Sequence, residues 1–181
     1  MQQPTALVTN ALEFAGPPAV AALTAAGFQV LAHDGAFGDP ERRIRYEQDH
    51  PGVVALAAQT AAEVVEAAWA VTQRLDVLVS NDAYPAIHGP IADAAIEDLQ
   101  VTLERLVVFP FLLAKAAIPR LIAQPQARVV MITSNRTRLP LPGGAIPDMA
   151  RAALNALVKS LSLELAPYGI PVNAIAPNDL Y

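Results

Sequence analysis

The chemistry open to this chain starts from two residues, Ser134 and Arg151, and from what stands between them. Ser134 ends the apolar run "VVMITS", Arg151 falls in the first turn of a helix pattern, and Pro147 lies thirteen residues after the Ser and four before the Arg. A hydroxyl can hold an oxygen in line, and a guanidinium that never loses its charge keeps a neighbouring acid ionised. The place between them, where a proton-carrying side chain would complete such a site, is a proline. It has no ionisable group and reads as the first position of the helix carrying Arg151. Asp148 stands three residues before Arg151, a spacing at which the two pair on a helix. A carboxylate so paired is a weak base for an alcohol proton.

A second group of residues sits in "TNALEFAG", residues 9–16, between the first apolar run and the first helix pattern. A glycine-rich turn there would let the backbone approach a pyrophosphate at the helix start. Only Gly16 is present, and the phenyl ring of Phe14 stands where a small residue is needed. Asp34, after the second apolar run, is placed for a ribose hydroxyl, or equally for capping the next turn. Tyr84 and Tyr181 fall in loops expected to converge on the same side. There is no Cys, and His33, His50 and His88 stand far apart. Thiolate chemistry, disulfides and a metal site therefore have no donor cluster, and no metal is expected.

The elements that must position these residues are legible as alternating runs. Strands are predicted at 6–9, 29–33, 53–55, 77–80, 128–133 and 172–176, and helices at about 15–26, 40–49, 60–74, 93–123 and 148–167. The strands are continuous apolar runs, as in a parallel sheet buried on both faces. Their alternation with helices predicts right-handed crossovers in an α/β three-layer sandwich, a doubly wound parallel sheet of Rossmann type. One domain over residues 1–181 is expected, since no repeat, low-complexity tract or linker interrupts the pattern. The sheet reads as six strands, and the sequence stops at "NAIAPNDLY" just where a ligand loop should follow the sixth, so the expected fold is C-terminally shortened. A net charge of −5 with no basic patch argues against nucleic acid or an anionic membrane as partner. Asp76, Lys115 and Arg128 interrupt the longest apolar stretches, so no membrane span is expected. The start "MQQPTALVTN" has no signal-peptide pattern, and a cytoplasmic location is expected.

Several stretches in order resemble the short-chain dehydrogenase/reductase superfamily, and within it the halohydrin (haloalcohol) dehalogenases. They are "ALVTNALEFAGPPAV", "AHDGAF", "DVLVSNDAYP", "VVMITSN" and "ARAALNALVKSLSLELAPYGIPVNAIAPNDL", nearly the whole chain. Ordinary members of the superfamily use a Ser, a Tyr and a Lys four residues after the Tyr for hydride transfer with a nicotinamide. The dehalogenases have Arg for that Lys and an aromatic residue in the glycine turn, and they hold a halide where the nicotinamide would lie. Arg151 and Phe14 match that branch.

The resemblance implies conversion of a vicinal haloalcohol to an epoxide and halide, and ring opening in reverse, with no cofactor. A tyrosinate stabilised by the Arg removes the hydroxyl proton, the Ser holds the oxygen, and the alkoxide displaces halide. Ser134 and Arg151 match the catalytic Ser and Arg; Pro147 occupies the Tyr position, which implies activity reduced or lost. Asp148 or one of the tyrosines is left as a substitute base. The halide pocket is expected from Phe14, Tyr84, Pro177, Asn178, Asp179 and Leu180, where Asp179 departs from the family's aromatic. Partners implied are a small haloalcohol or epoxide, a halide ion and a second copy of the chain, in a dimer or tetramer through the helices at 93–123 and 148–167. Two alternatives stay open: an NAD(P)-dependent short-chain oxidoreductase, and a non-catalytic Rossmann-fold relative.

Overall fold

The computed structural model describes residues 3–177. Six parallel strands form one sheet in the order β3-β2-β1-β4-β5-β6: β1 (Thr5–Val8), β2 (Gln29–His33), β3 (Val54–Leu56), β4 (Val77–Asn81), β5 (Arg128–Ile132) and β6 (Val172–Ile175). Val8 of β1 pairs with Ala32 on one side and Val79 on the other. The order reverses between β1 and β4, so the loops leaving their carboxyl ends diverge and open a crevice, the position where doubly wound sheets bind ligands.

Alternate residues of each strand serve opposite layers, which is why the strands read as unbroken apolar runs. Leu7, Leu31, Leu78 and Met131 face one core with Val64, Leu113, Leu121 and Leu154. Those partners come from α3 (Ala61–Thr72), α5 (Phe109–Ile122) and α6 (Ala145–Leu165). Val8, Val30, Ala32 and Val79 face a second core with Val20, Phe37 and Tyr46, contributed in part by α1 (Gly16–Ala25) and α2 (Pro40–Asp49). Along β6 the side opposite β5 carries no strand among the described residues, and Asn173, Ala174 and Ile175 are exposed.

Local chemistry explains the helix boundaries. The Thr60 hydroxyl accepts from the Glu63 N–H while the Glu63 carboxylate accepts from the Thr60 N–H, a reciprocal cap that starts α3. The helix expected over 93–123 is instead interrupted. α4 (Ile96–Leu103) passes into a π-helical turn at Glu104–Val108 before α5 begins. Pro110 has no N–H for the carbonyl four residues back, and the Phe109 N–H bonds to Glu104 five residues back. The last helix also differs from expectation. Its N-cap is Gly144, so Pro147 is the third helical residue rather than the first. Its missing N–H still falls among the groups that have no partner within a helix, and the turn is undisturbed.

Candidate active site

Four loops and the start of α6 meet over the crevice around a cavity of about 380 Å³. Its wall includes Phe14 from the loop after β1, Tyr84 from the loop after β4, Ser134 and Arg136 after β5, Pro147 and Arg151 on α6, and Pro177 after β6. The fold thus brings together the expected Ser134, Arg151, Phe14, Tyr84 and Pro177, with Pro147 and Asp148 beside them. Asn178, Asp179 and Leu180, also expected at the pocket, lie outside the described residues, as does Tyr181.

Ser134 leaves β5 in an extended conformation and caps the short turn Asn135–Arg138, its Oγ accepting from the Arg136 N–H at 3.2 Å. One lone pair is thereby occupied and the hydroxyl proton remains available to donate into the cavity. Asn155, one turn along α6 from Arg151, donates to the Ser134 carbonyl at 3.3 Å and to the Thr137 hydroxyl at 3.0 Å. The Arg151 guanidinium donates to the Ile132 carbonyl at 3.2 Å. Both groups are therefore fixed to the end of β5.

Asp148 corrects the sequence expectation. Its carboxylate pairs with Arg136 at 3.4 Å, where the i,i+3 spacing pointed to Arg151. Asp148 is largely buried in the first helical turn, its partner Arg136 coming from the turn after β5, and Gly144 makes room for the pair. A Cβ at Gly144 would stand 2.7 Å from the Asp148 carboxylate and 2.9 Å from the Arg136 guanidinium. His88 approaches Arg136 from the loop after β4 at 3.5 Å.

The turn after β1 is tight and unusual. Phe14 has φ +53, a left-handed backbone that costs a bulky residue strain, and its ring is 54% exposed on the cavity side of the crevice. The turn is held by Asn81 at the end of β4, whose side chain donates to the carbonyls of Asn10 at 2.8 Å and Glu13 at 2.9 Å. Asn10 returns a bond to the Asn81 carbonyl at 2.6 Å. Gly16 permits the approach of helix to turn: a Cβ there would sit 2.3 Å from the Asn10 carbonyl oxygen. Asp34 serves the loops, accepting from the N–H of Leu12 at 3.2 Å and of Ala36 at 2.9 Å.

This helix start has little to offer a pyrophosphate. Anion binding at such a place relies on free N–H groups in the first turn. Pro17 and Pro18 have none, the Gly16 N–H is taken by the Glu13 carbonyl at 2.9 Å, and that of Ala19 by Ala15 at 3.1 Å. Together with the Phe14 ring, these residues do not fit the dinucleotide that the fold accommodates elsewhere.

Sequence reasoning missed Asp82. It is fully buried, accepts from the Ser80 hydroxyl at 2.9 Å through one oxygen, and leaves the other without a hydrogen-bond partner. Burial pushes its carboxyl up from 3.8 to about 7, against the Ser80 hydrogen bond and the nearby Arg151 charge, which both pull it down. The signal was present in "LVSNDAYP", a carboxylate one residue beyond an apolar strand. Arg136, in "TSNRTR", was missed as well.

The comparisons with known proteins bear on this geometry. A family model described as enoyl-(acyl carrier protein) reductase matches residues 20–180. The chain belongs to the short-chain dehydrogenase/reductase superfamily. A solved structure described as a dehalogenation enzyme is 38% identical with a TM-score of 0.93, covering 99% of this chain and 74% of that one. A halohydrin dehalogenase bound to ethyl (2S)-oxiran-2-ylacetate is 34% identical with a TM-score of 0.92, covering 96% and 70%. The human dehydrogenase/reductase SDR family member 4 is 37% identical over 103 residues, 57% of this chain. That match spans 37% of the human protein's length. With this superfamily the chain shares the parallel sheet flanked by helices. No helix among the described residues is long and apolar enough to cross a membrane.

Proposed function

We propose that this short-chain dehydrogenase/reductase relative performs haloalcohol chemistry: internal displacement of halide from a vicinal haloalcohol to give an epoxide, and the reverse ring opening. The observation that carries this reading is Phe14, an aromatic residue holding a left-handed turn and walling the same cavity as Ser134 and Arg151. A ring there fills space that a nicotinamide would need and leaves room for a small substrate. Pro17 and Pro18 support the same reading by removing donors a pyrophosphate would use.

Ser134 and Arg151 are the roles we assign by position. The free proton of the Ser134 hydroxyl donates to the substrate oxygen and orients it for attack on the halogen-bearing carbon. Arg151 stabilises negative charge as the substrate hydroxyl loses its proton. Phe14, Tyr84 and Pro177 form the apolar wall against which the carbon–halogen bond lies. Pro147 supplies no base, so turnover is slower than in a relative with Tyr at that position. General-base catalysis is worth typically ~10²–10⁴-fold.

A nicotinamide-dependent oxidoreductase is the second reading, favoured by the curated relative named above and opposed by the first turn. A second copy of the chain docks, in our reading, on the exposed apolar residues Val108 at the end of the π turn, Phe111 and Leu112 at the start of α5, and Leu163 on α6. The deciding experiment is halide release from 2-bromoethanol without nicotinamide, beside calorimetric titration with NAD(H) and NADP(H). Release without dinucleotide binding supports the proposal; micromolar dinucleotide binding without release refutes it.

A further inference from the structure

We propose that Tyr84, on the loop after β4, is the catalytic residue that exchanges the proton Pro147 cannot. The inference rests on the haloalcohol reading above and assigns to Tyr84 a role beyond that of an apolar wall.

The cavity wall narrows the choice of proton-carrying groups. Among the described residues, Glu13, Tyr84 and Asp148 are the lining side chains able to take a proton from an alcohol. Asp148 is held by Arg136, and Glu13 is exposed at the rim. Tyr84 is half-buried, with Ser134 and Arg151 on the same wall, and no protein hydrogen bond reaches its hydroxyl among the described residues. The other described tyrosines lie elsewhere: Tyr46 is packed against Phe37 and His50 in the second core, and Tyr168 is exposed beyond α6.

The loop carrying Tyr84 is anchored at its root. Asn81 and Asn10 exchange side-chain-to-carbonyl bonds at 2.8 and 2.6 Å. Asp82, buried and close enough to Arg151 to feel its charge, accepts from the Ser80 hydroxyl. Pro85 follows Tyr84 directly and restricts its backbone to extended conformations. A phenol on such a root is preorganised, which is what a proton-transfer group requires. The proton acceptor has thus shifted from α6 to the facing loop, leaving Ser134 and Arg151 in place.

The step balances without a further reactant. The Tyr84 phenolate oxygen takes the substrate hydroxyl proton, the alkoxide oxygen forms its bond to the neighbouring carbon, and the carbon–halogen bond breaks with the electron pair leaving on the halide. The proton then passes to water. In ring opening the phenol protonates the epoxide oxygen as an anion attacks carbon.

The test compares wild type, Tyr84→Phe, and Tyr84→Phe with Pro147→Tyr in halide release from 2-bromoethanol, each variant checked by circular dichroism and melting. Tyr84→Phe should lower kcat at least ~100-fold, the lower end for general-base catalysis, with KM changed less than about threefold. Adding Pro147→Tyr should restore turnover. Wild-type kcat in Tyr84→Phe overturns the proposal while leaving the haloalcohol reading intact. Absence of release from wild type itself fails that reading. The proposal is then decided by [13Cζ]tyrosine NMR of the whole chain titrated with 2-bromoethanol. A Tyr84 resonance, assigned by its loss in Tyr84→Phe, that moves on titration supports contact with the alcohol; one that stays fixed overturns the proposal.

Discussion

Replacing Asp82 by Asn isolates a buried charge whose effect on stability has a definite sign. In the unfolded chain this carboxyl loses its proton near 3.8, and in the folded protein near 7. Between those values the folded state holds a proton that the unfolded state has released, so stability falls as pH rises through that window and levels off above it. At 1.36 kcal/mol for each unit, the full effect is on the order of 4 kcal/mol. About 2.5 kcal/mol of this falls between pH 5 and pH 8. For a chain of this size that corresponds to a change in Tm of about 5–10 °C. Asn keeps the shape and an acceptor for the Ser80 hydroxyl, and it does not titrate. The Tm difference between Asp82→Asn and wild type, followed by calorimetry from pH 5 to 8, should therefore grow in favour of the variant as pH rises. Arg151→Met removes a charge that lowers the Asp82 value, so the midpoint seen by carboxyl 13C NMR should move upward. Parallel pH profiles for wild type and Asp82→Asn would refute the buried-charge argument.

The turn after β1 offers two further tests. Gly16→Ala places a methyl group 2.3 Å from the Asn10 carbonyl oxygen and should cost about 1–3 kcal/mol as an overpacked contact, read from urea unfolding; an unchanged midpoint contradicts the close approach. Phe14→Gly relieves a φ of +53, which tends to raise stability by up to ~1 kcal/mol, and it should weaken bromide binding measured by calorimetry. NAD(H) binding should not appear in that variant, because Pro17 and Pro18 remain.

The sheet was legible because a strand buried on both faces leaves a run of apolar residues with no polar alternation. β2 coincides with its predicted bounds, and the other strands differ by a residue or two at their ends. The helix expected over 93–123 was broken by Pro110, whose effect on the bonding pattern depends on a π turn that apolar periodicity does not announce. Pro147 was placed at the first helical position because Gly144 gives no side-chain cap to mark the start two residues earlier. Among the site residues, Ser134, Arg151, Phe14, Tyr84 and Pro177 converge as expected, since all lie at the carboxyl ends of strands or next to them. The partner of Asp148 was misread because helix spacing names neighbours along one element, whereas Arg136 arrives from another. Asp82 carried only the mark of a carboxylate one residue past an apolar strand: its burial is decided by the loops packed over it, and one sequence does not record them.

Halide release from 2-bromoethanol without nicotinamide, measured side by side for the native chain and Pro147→Tyr, tests the central claim most directly. The account predicts release by the native chain and, with a second proton acceptor returned between Ser134 and Arg151, faster release. A folded Pro147→Tyr variant that releases no halide would contradict it.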